Sequence, residues 1–160
     1  AEKSVSDRIS QLMNIKGNKT VESFHKRLGK IMWDYCGMSR TADGLKSAKK
    51  MVSELREQYW KDLKTIGTND ELNITLEKAY RVADFMELGE LMIDDTLNRE
   101  ESCGGHFREE HQTPEGEAKR NDEEFAYVAA WEYTGNPGEA KLHKEELKYE
   151  NIEMKQRSYK

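Results

Sequence analysis

The sequence has few apolar residues, few cysteines and no long hydrophobic run. Only 36% of its 160 residues are hydrophobic, the same fraction as are charged, so it can fold only if the apolar positions are strictly patterned. The two cysteines, Cys36 and Cys103, exclude a disulfide framework and make a reducing cytoplasmic setting the default. Because no stretch of about 18 apolar residues occurs, the sequence predicts no membrane-spanning helix.

The charges are nearly balanced and are interspersed along the chain. Lysine and arginine total 26 against 31 acidic residues, which gives a net charge of −5. This pattern argues against a nucleic-acid surface, which requires clustered basic residues. The length fits one domain. The first residues, Ala1 to Ser4, have the character of neither a signal peptide nor a translation start, so we expect the chain to be a piece of a longer protein.

Four segments carry apolar residues at helical spacing. Capping residues and glycines place a short first helix at about 5–15 and three long helices at about 20–37, 41–66 and 69–99. Long helices joined by loops of about five residues must run antiparallel to their neighbours, which predicts a bundle. The fourth helix carries Leu72 on its apolar stripe, and Glu90 is the polar exception on that stripe.

A strand signal follows the helices. Apolar residues alternate from Phe125 to Tyr133, and a Gly-Asn-Pro-Gly turn comes next at 135–138. We expect this strand to pair with residues 140–147, with its aromatic side chains buried, and the tail to be extended. The predicted fold is mainly α: the end of a linking helix at 1–18, an antiparallel bundle at 19–99, and at 100–160 an irregular polar loop, a small C-terminal β-hairpin and a tail packed on the bundle.

The polar loop after residue 99 holds the residues with the clearest chemical potential. Cys103, His106 and His111 are zinc-ligand types, with Glu109 and Glu110 between them. No second cysteine or histidine pair completes a set of four ligands, so we predict no metal site. Cys103 and His106 also lack a third residue that would orient them as nucleophile and base. Because the chain has no Gly-rich phosphate-binding motif, we expect it to bind no nucleotide by itself.

The same loop resembles a family signature. It reads Arg99-x-Glu101-Ser102-Cys103-Gly104-Gly105-His106-x-Arg108, followed by Pro114 and Arg120-Asn121-Asp122-x-x-Phe125. This arrangement resembles the R-x-E-S-R-G-A-H-x-R … P … R-[DN]-D-x-x-[WF] signature of the flavoprotein subunits of succinate dehydrogenase and fumarate reductase. Aspartate oxidases share its front half. The segment closing on Arg40 and the Arg157-x-Tyr159 end are also similar to that family, whereas Cys103 and Gly105 replace its usual Arg and Ala.

The resemblance implies that the chain is one domain of a larger enzyme and that the catalytic residues lie in other domains. In that family the FAD-binding fold, the flavin-linked histidine and the substrate-binding residues lie upstream of the C-terminal helical domain. The chain would be that domain, catalytically silent alone, in an enzyme that interconverts succinate and fumarate. The implied partners are the upstream FAD-binding and capping domains, an iron–sulfur subunit that receives electrons, and a membrane anchor at the cytoplasmic face of the inner membrane. No catalytic, cofactor or metal residue is expected within the chain.

The polar motif is predicted to dock the chain onto its neighbours. Hydrogen-bonding residues grouped beyond a helix end suit a contact with another domain or subunit. The predicted docking residues are Arg99, Glu101, Ser102, Gly104, His106, Arg108, Arg120 and Asp122. Two alternatives stay open: a stand-alone helical protein-interaction domain with no enzyme attached, and the C-terminal domain of an aspartate oxidase.

Overall fold

Five helices and one β-hairpin make up the part of the chain that the structure describes. The computed structural model describes residues 1–135 and 139–155. The elements in chain order are α1 (Glu2–Asn14), α2 (Val21–Cys36), α3 (Ala42–Asp62), α4 (Ile74–Asn98), α5 (Asp122–Phe125), β1 (Tyr127–Glu132) and β2 (Lys141–Glu146). The three long helices α2, α3 and α4 pack pairwise, and α1 packs on α4. The predicted mainly α fold with a small hairpin is confirmed.

The core lies between the three long helices. Their predicted stripes converge on Tyr59 of α3, whose ring meets Phe24 edge-on at 5.1 Å between centroids and whose hydroxyl donates to the Ala79 carbonyl. A fully buried tyrosine is tolerated because its hydroxyl has this partner. Among the described residues, no helix is both long and apolar enough to cross a bilayer.

Helix α3 ends at Asp62, so the predicted end near Ile66 is wrong. Beyond Asp62 the chain turns extended and pairs with the segment between α1 and α2: the Gly17 amide donates to the Leu63 carbonyl at 3.1 Å, and the Lys64 amide donates to the Lys19 carbonyl at 2.8 Å. A Cβ on Gly17 would lie only 1.9 Å from the Asp62 carbonyl carbon, so only glycine fits there. The backbone pairing with residues 17–19 therefore ends α3 at Asp62, although the apolar periodicity of the sequence continues beyond that residue.

Helix α4 begins at Ile74, later than the predicted start at 69–70. The side chain of Asn73 caps it by accepting from the Leu76 amide at 3.0 Å, and its Nδ2 donates to the carbonyls of Ile66 and Thr68. Because Asn73 both caps the helix and holds the preceding loop, the residues before it stay outside the helix. Leu72 is 89% exposed, so its predicted place on the apolar stripe is wrong.

Glu90, the polar exception on the α4 stripe, is buried and forms an ion pair with Arg56 of α3. Burial raises the pKa of Glu90, and the adjacent Arg56 opposes that rise. The Arg56–Glu90 ion pair therefore joins α3 to α4 at a specific position, and the Lys49–Asp94 pair at 2.5 Å joins the same two helices.

The predicted hairpin is present, with β1 antiparallel to β2 and Tyr127 opposite Glu146. Its aromatic face is less buried than predicted. Trp131 donates from Nε1 to Asp95 of α4 at 2.7 Å and is half-buried, whereas Ala129 and Tyr133 are exposed. Phe125 belongs to α5 and not to the strand. Residues 136–138 of the predicted turn at 135–138 and the Arg-x-Tyr end at 157–159 lie outside the described residues.

Candidate functional site

The polar loop crosses one end of the bundle. Because α2 and α4 are both antiparallel to α3, their C-terminal ends lie at the same end, which the segment from Arg99 to Asn121 covers. Two backbone hydrogen bonds join the loop to the residues after α2. The Arg40 amide donates to the Phe107 carbonyl at 3.2 Å, and the Glu109 amide donates to the Arg40 carbonyl at 2.9 Å. The two motif segments noted in the sequence therefore meet in space.

Three of the predicted docking residues point into the protein. Glu101 is 1% exposed, Ser102 0% and Arg108 3%. The Ser102 hydroxyl accepts from the Arg108 amide at 2.8 Å and donates to the Arg108 carbonyl at 3.1 Å. The Arg108 guanidinium donates to the Thr96 carbonyl at 2.9 Å and to Glu110 at 3.2 Å. These groups use their hydrogen bonds within the chain, so their first effect is to fix the shape of the loop.

Glu101 joins the two ends of the loop. Its Oε1 accepts from Arg99 Nε at 2.7 Å, and its Oε2 accepts from the Asn121 amide at 2.8 Å. Arg120 in turn donates to Asp122 from Nε at 2.9 Å and from Nη2 at 2.5 Å. Charge-assisted bonds of this kind are about twice as strong as neutral ones. The predicted docking arginines Arg99 and Arg120 are therefore each neutralised by a nearby carboxylate.

His106 bridges the ends of α2 and α4. Its Nε2 lies 2.8 Å from the Arg99 carbonyl, and its Nδ1 lies 3.1 Å from Arg40 Nη1. A carbonyl can only accept and a guanidinium can only donate, so the partners assign the neutral tautomer with the proton on Nε2. Burial lowers the pKa of His106, and the positive charges of Arg40, Arg99 and Arg108 lower it further. The ring therefore acts as a neutral bridge.

A tight turn exposes two glycines of the loop. Cys103 and His106 exchange two backbone hydrogen bonds, of 2.8 and 3.1 Å, across Gly104 and Gly105, which are exposed. Gly104 has φ +57°, a left-handed conformation that favours glycine. A Cβ on either glycine would meet no heavy atom within 4 Å. This turn presents bare backbone to the surroundings.

The acidic residues after the motif hold the start of α3. Glu110 accepts from the Ala42 amide at 2.5 Å, and Glu109 accepts from the Ser39 hydroxyl at 2.5 Å. Partial burial acts to raise the pKa of Glu110, but the hydrogen bonds from Ala42 and Arg108 are stronger together and hold it below its usual value. A carboxylate at a helix N-terminus also suits the helix dipole. Sequence reasoning missed these contacts because the partners lie about 70 residues apart.

The structure offers no support for metal or nucleophile chemistry in this loop. Across residues 1–135 and 139–155, no group of three or more His, Cys, Asp and Glu side chains could hold a metal ion. Cys103, His106 and His111 are thus not gathered into one ligand set. Both ring nitrogens of His106 are engaged by Arg40 and Arg99, so the ring offers no free base to the Cys103 thiol.

Comparison with known proteins matches this chain to one family. The family model "Fumarate reductase flavoprotein C-term" matches residues 25–159. An FAD-dependent oxidoreductase of Methanocaldococcus jannaschii is 29% identical over 121 residues, which are 76% of this chain and 21% of that protein. The fumarate reductase flavoprotein subunit of Proteus vulgaris is 27% identical over 76% of this chain and 19% of its own length. The chain thus spans about a fifth of the curated relatives it matches.

Solved structures show the same fold. A quinol–fumarate reductase with menaquinol molecules superposes with a TM-score of 0.80 at 21% identity, over 95% of this chain and 25% of that one. The Mycobacterium smegmatis Sdh1 complex in the apo form gives a TM-score of 0.72 at 19% identity, over 97% of this chain and 25% of that one. Together with the family match over residues 25–159, this shows that the chain belongs to the C-terminal domain family of fumarate reductase and succinate dehydrogenase flavoprotein subunits.

Proposed function

We propose that the chain is the C-terminal helical domain of a flavoprotein subunit that interconverts succinate and fumarate and passes electrons to an iron–sulfur subunit. The observation that carries this proposal is the family match, which extends over residues 25–159. The relatives named as fumarate reductase and succinate dehydrogenase flavoprotein subunits support the substrate pair. Residues 1–18 would then be the end of the helix linking this domain to the upstream part.

Within that enzyme the chain would be catalytically silent. FAD, bound by the upstream domain, supplies the hydride chemistry. A dicarboxylate site requires cationic groups free to face the substrate, but Arg99, Arg108 and Arg120 are each paired with a carboxylate of their own chain. These pairings support a structural role for the arginines.

The role of the polar loop would be to dock the domain onto the upstream FAD-binding and capping domains. Its buried residues Glu101, Ser102 and Arg108 hold the loop rigid, and the exposed Gly104–Gly105 turn offers backbone groups that another surface can approach closely. His106, Arg99, Arg120 and Asp122 frame this turn. An iron–sulfur subunit and a membrane anchor would complete an assembly at the cytoplasmic face of the inner membrane.

The experiment is to purify the full-length polypeptide that contains this chain, and the 160-residue chain beside it. The full-length polypeptide should carry flavin and oxidise succinate with an artificial electron acceptor or reduce fumarate, while the isolated chain should do neither. Oxidation of L-aspartate in place of succinate would assign the protein to the aspartate oxidases. A full-length polypeptide with no flavin and no activity on these acids would refute the proposal in favour of an interaction domain.

A further inference from the structure

The strand β2 has one edge without a strand partner. Among the residues that the structure describes, the sheet has two strands, so β2 pairs with β1 alone. Five of the six β2 residues are exposed, and Leu142 is half-buried. The hairpin is joined to the bundle through β1, where Trp131 bonds to Asp95 and Tyr127 bonds to Asn98. The outer edge of β2 is therefore the side of the hairpin that is open to another strand.

The backbone groups that point to this edge follow from the ladder between β1 and β2. The Leu147 amide donates to the Ala126 carbonyl at 3.1 Å, so these two residues, which continue the β1–β2 register, form a hydrogen-bonded pair. Hydrogen-bonded and non-hydrogen-bonded pairs alternate in an antiparallel ladder. Residues 141, 143 and 145 therefore bond to β1 as well. Leu142, Lys144 and Glu146, which lie between them, turn their N–H and C=O groups outward.

The charge pattern of β2 is complementary to a second copy of itself. From Lys141 to Glu146 the strand reads Lys-Leu-His-Lys-Glu-Glu, so cations lie toward its start and carboxylates at its end. When two copies pair antiparallel about a twofold axis, the start of each strand lies opposite the end of the other. With the axis at His143, Lys141 of each copy faces Glu145 of the other. Opposite charges in facing positions stabilise a strand pair.

The outward backbone groups of β2 suit the same register. An axis at His143 places Leu142 of one copy opposite Lys144 of the other, and both residues have outward N–H and C=O groups that can exchange hydrogen bonds. An axis at Lys144 also matches the backbone groups, but it brings the two Lys144 side chains face to face, where like charges are destabilising. The axis at His143 therefore satisfies the backbone and the charges together.

We propose that the outer edge of β2 is an interface between two copies of this protein, which join their hairpins into one four-stranded antiparallel sheet. Such pairing is independent of the enzyme reaction proposed above. An isolated two-stranded hairpin is only marginally stable, and a third strand or more is needed for a stable sheet. Pairing through β2 therefore gives each hairpin the strands that it lacks.

The lysines on β2 favour a second copy over an unrelated strand. A lysine on an edge strand normally deters pairing with other chains. Lys141 is exposed and lies 4.0 Å from Glu132 of its own hairpin, so its charge is accessible to a further carboxylate. Glu145 of a second copy supplies that carboxylate in a facing position. The edge is therefore matched to its own sequence and repels a strand that brings another cation there.

Sedimentation of the 160-residue chain tests the charge pairing. An interface of one strand pair is small and therefore weak, so the chain is measured at concentrations up to about 1 mM. The wild-type chain should dimerise at pH 7.5. Lys141→Glu alone, or Glu145→Lys alone, should raise the dissociation constant at least about tenfold, because two facing pairs then carry like charges.

Mixing the two variants provides a control for the hairpin itself. In a heterodimer of the Lys141→Glu chain with the Glu145→Lys chain, both facing pairs again carry opposite charges, although each chain is unchanged. The mixture should therefore dimerise more tightly than either variant alone. A wild-type chain that stays monomeric over the whole concentration range, or a mixture that associates no more tightly than its components, would overturn the proposal.

A backbone substitution tests the edge directly. Lys144→Pro removes an outward N–H of β2 and leaves the ladder with β1 intact, so it should abolish the dimer. Lys144→Ala removes the same side chain, including its contact with the Tyr127 ring at 4.3 Å, but it keeps the N–H and should still dimerise. A Lys144→Pro chain that dimerises as well as the Lys144→Ala chain would show that the copies meet elsewhere and would overturn the proposal.

Amide hydrogen exchange locates the interface in the wild-type chain. In a dilute sample the amides of Leu142 and Lys144 should exchange quickly, whereas those of His143 and Glu145, which bond to β1, should be protected. Raising the chain concentration should slow exchange at Leu142 and Lys144 severalfold. Exchange at these two amides that does not respond to concentration would refute the β2 interface.

The full-length polypeptide distinguishes a second copy from another occupant of the edge. It should sediment as a dimer that Lys141→Glu dissociates. A full-length polypeptide that stays monomeric while Leu142 and Lys144 are protected from exchange would show that another part of the same polypeptide covers the edge. That result would overturn the choice of a second copy.

Discussion

Replacing His106 should weaken the end of the bundle before it affects any chemistry. His106→Ala removes the bond to the Arg99 carbonyl and the bond from Arg40. At about 1 kcal/mol for each hydrogen bond, the free energy of unfolding should fall by about 2 kcal/mol. For a chain of this size, that is a drop of about 4–8 °C in melting temperature. Urea or thermal unfolding of the 160-residue chain at pH 7.5 measures it.

The pH dependence of the same variant tests the tautomer. The charged groups that face the ring, Arg40, Arg99 and Arg108, are all positive and, with burial, hold the pKa of His106 below its usual value. The folded state then binds the proton less tightly than the unfolded state, so the contribution of His106 to stability is full above about pH 6.5 and falls as the pH drops toward the folded pKa. The stability difference between wild type and His106→Ala should therefore shrink between pH 7.5 and pH 5.5. The other histidines of the chain, His25, His111 and His143, are present in both proteins, so they do not account for a difference between them.

A control and a functional readout complete the test. His111→Ala should change the free energy of unfolding by less than about 0.5 kcal/mol, because within residues 1–135 and 139–155 no side-chain hydrogen bond joins that ring to a neighbouring helix end. In the full-length polypeptide, His106→Ala should reduce assembly or stability while turnover per bound flavin stays the same. A difference that grows as the pH falls would refute the neutral bridge, and normal stability with lost turnover would refute the docking role of the loop.

Other parts of the molecule give further predictions. Arg56→Met leaves the buried Glu90 unpaired, so urea unfolding should show that the free energy of unfolding falls by about 3 kcal/mol. Because burial raises the pKa of Glu90, this loss should be larger at pH 8 than at pH 5. A loss that does not depend on pH would contradict this reasoning. Gly17→Ala should lower the melting temperature because its Cβ would strike Asp62, whereas Gly29→Ala in α2 should raise the stability of the isolated chain by about 0.5–1 kcal/mol. Elemental analysis and absorbance of the purified 160-residue chain should show neither stoichiometric zinc nor a flavin band near about 450 nm; either signal would restore a ligand site in the polar loop.

The start of α2 and the turn from α2 to α3 show how far local signals reach. Thr20 and Thr41 precede the first residues of α2 and α3, and their hydroxyls cap these helices by accepting from the amides of Ser23 and Gly44. A cap is recognised from residues within one helical turn, and an apolar stripe repeats every 3.6 residues. Both signals therefore depend only on residues that are close together in the sequence. The bundle, its order and most of its core could therefore be predicted without a structure.

The same local logic misplaced the end of α3 and the start of α4. Periodicity continues past Asp62, but the pairing of residues 63–64 with 17–19 stops the helix, and those partners are more than 40 residues apart. Leu72 fits the stripe by spacing yet is exposed, because Asn73 takes the cap. A local preference for helix can be overridden by a hydrogen bond to a residue that is distant in the sequence. Which of the two prevails depends on the tertiary structure.

The polar loop shows most clearly which features depend on the sequence alone and which depend on the tertiary structure. Its residue types alone indicated a hydrogen-bonding motif of a known family, and the family match over residues 25–159 agrees. That Glu101, Ser102 and Arg108 turn inward, and that His106 joins Arg40 to Arg99, depended on the parallel course of α2 and α4. Sequence determines which groups can donate and accept, whereas tertiary structure decides which of them meet, because a hydrogen bond requires partners within about 3 Å.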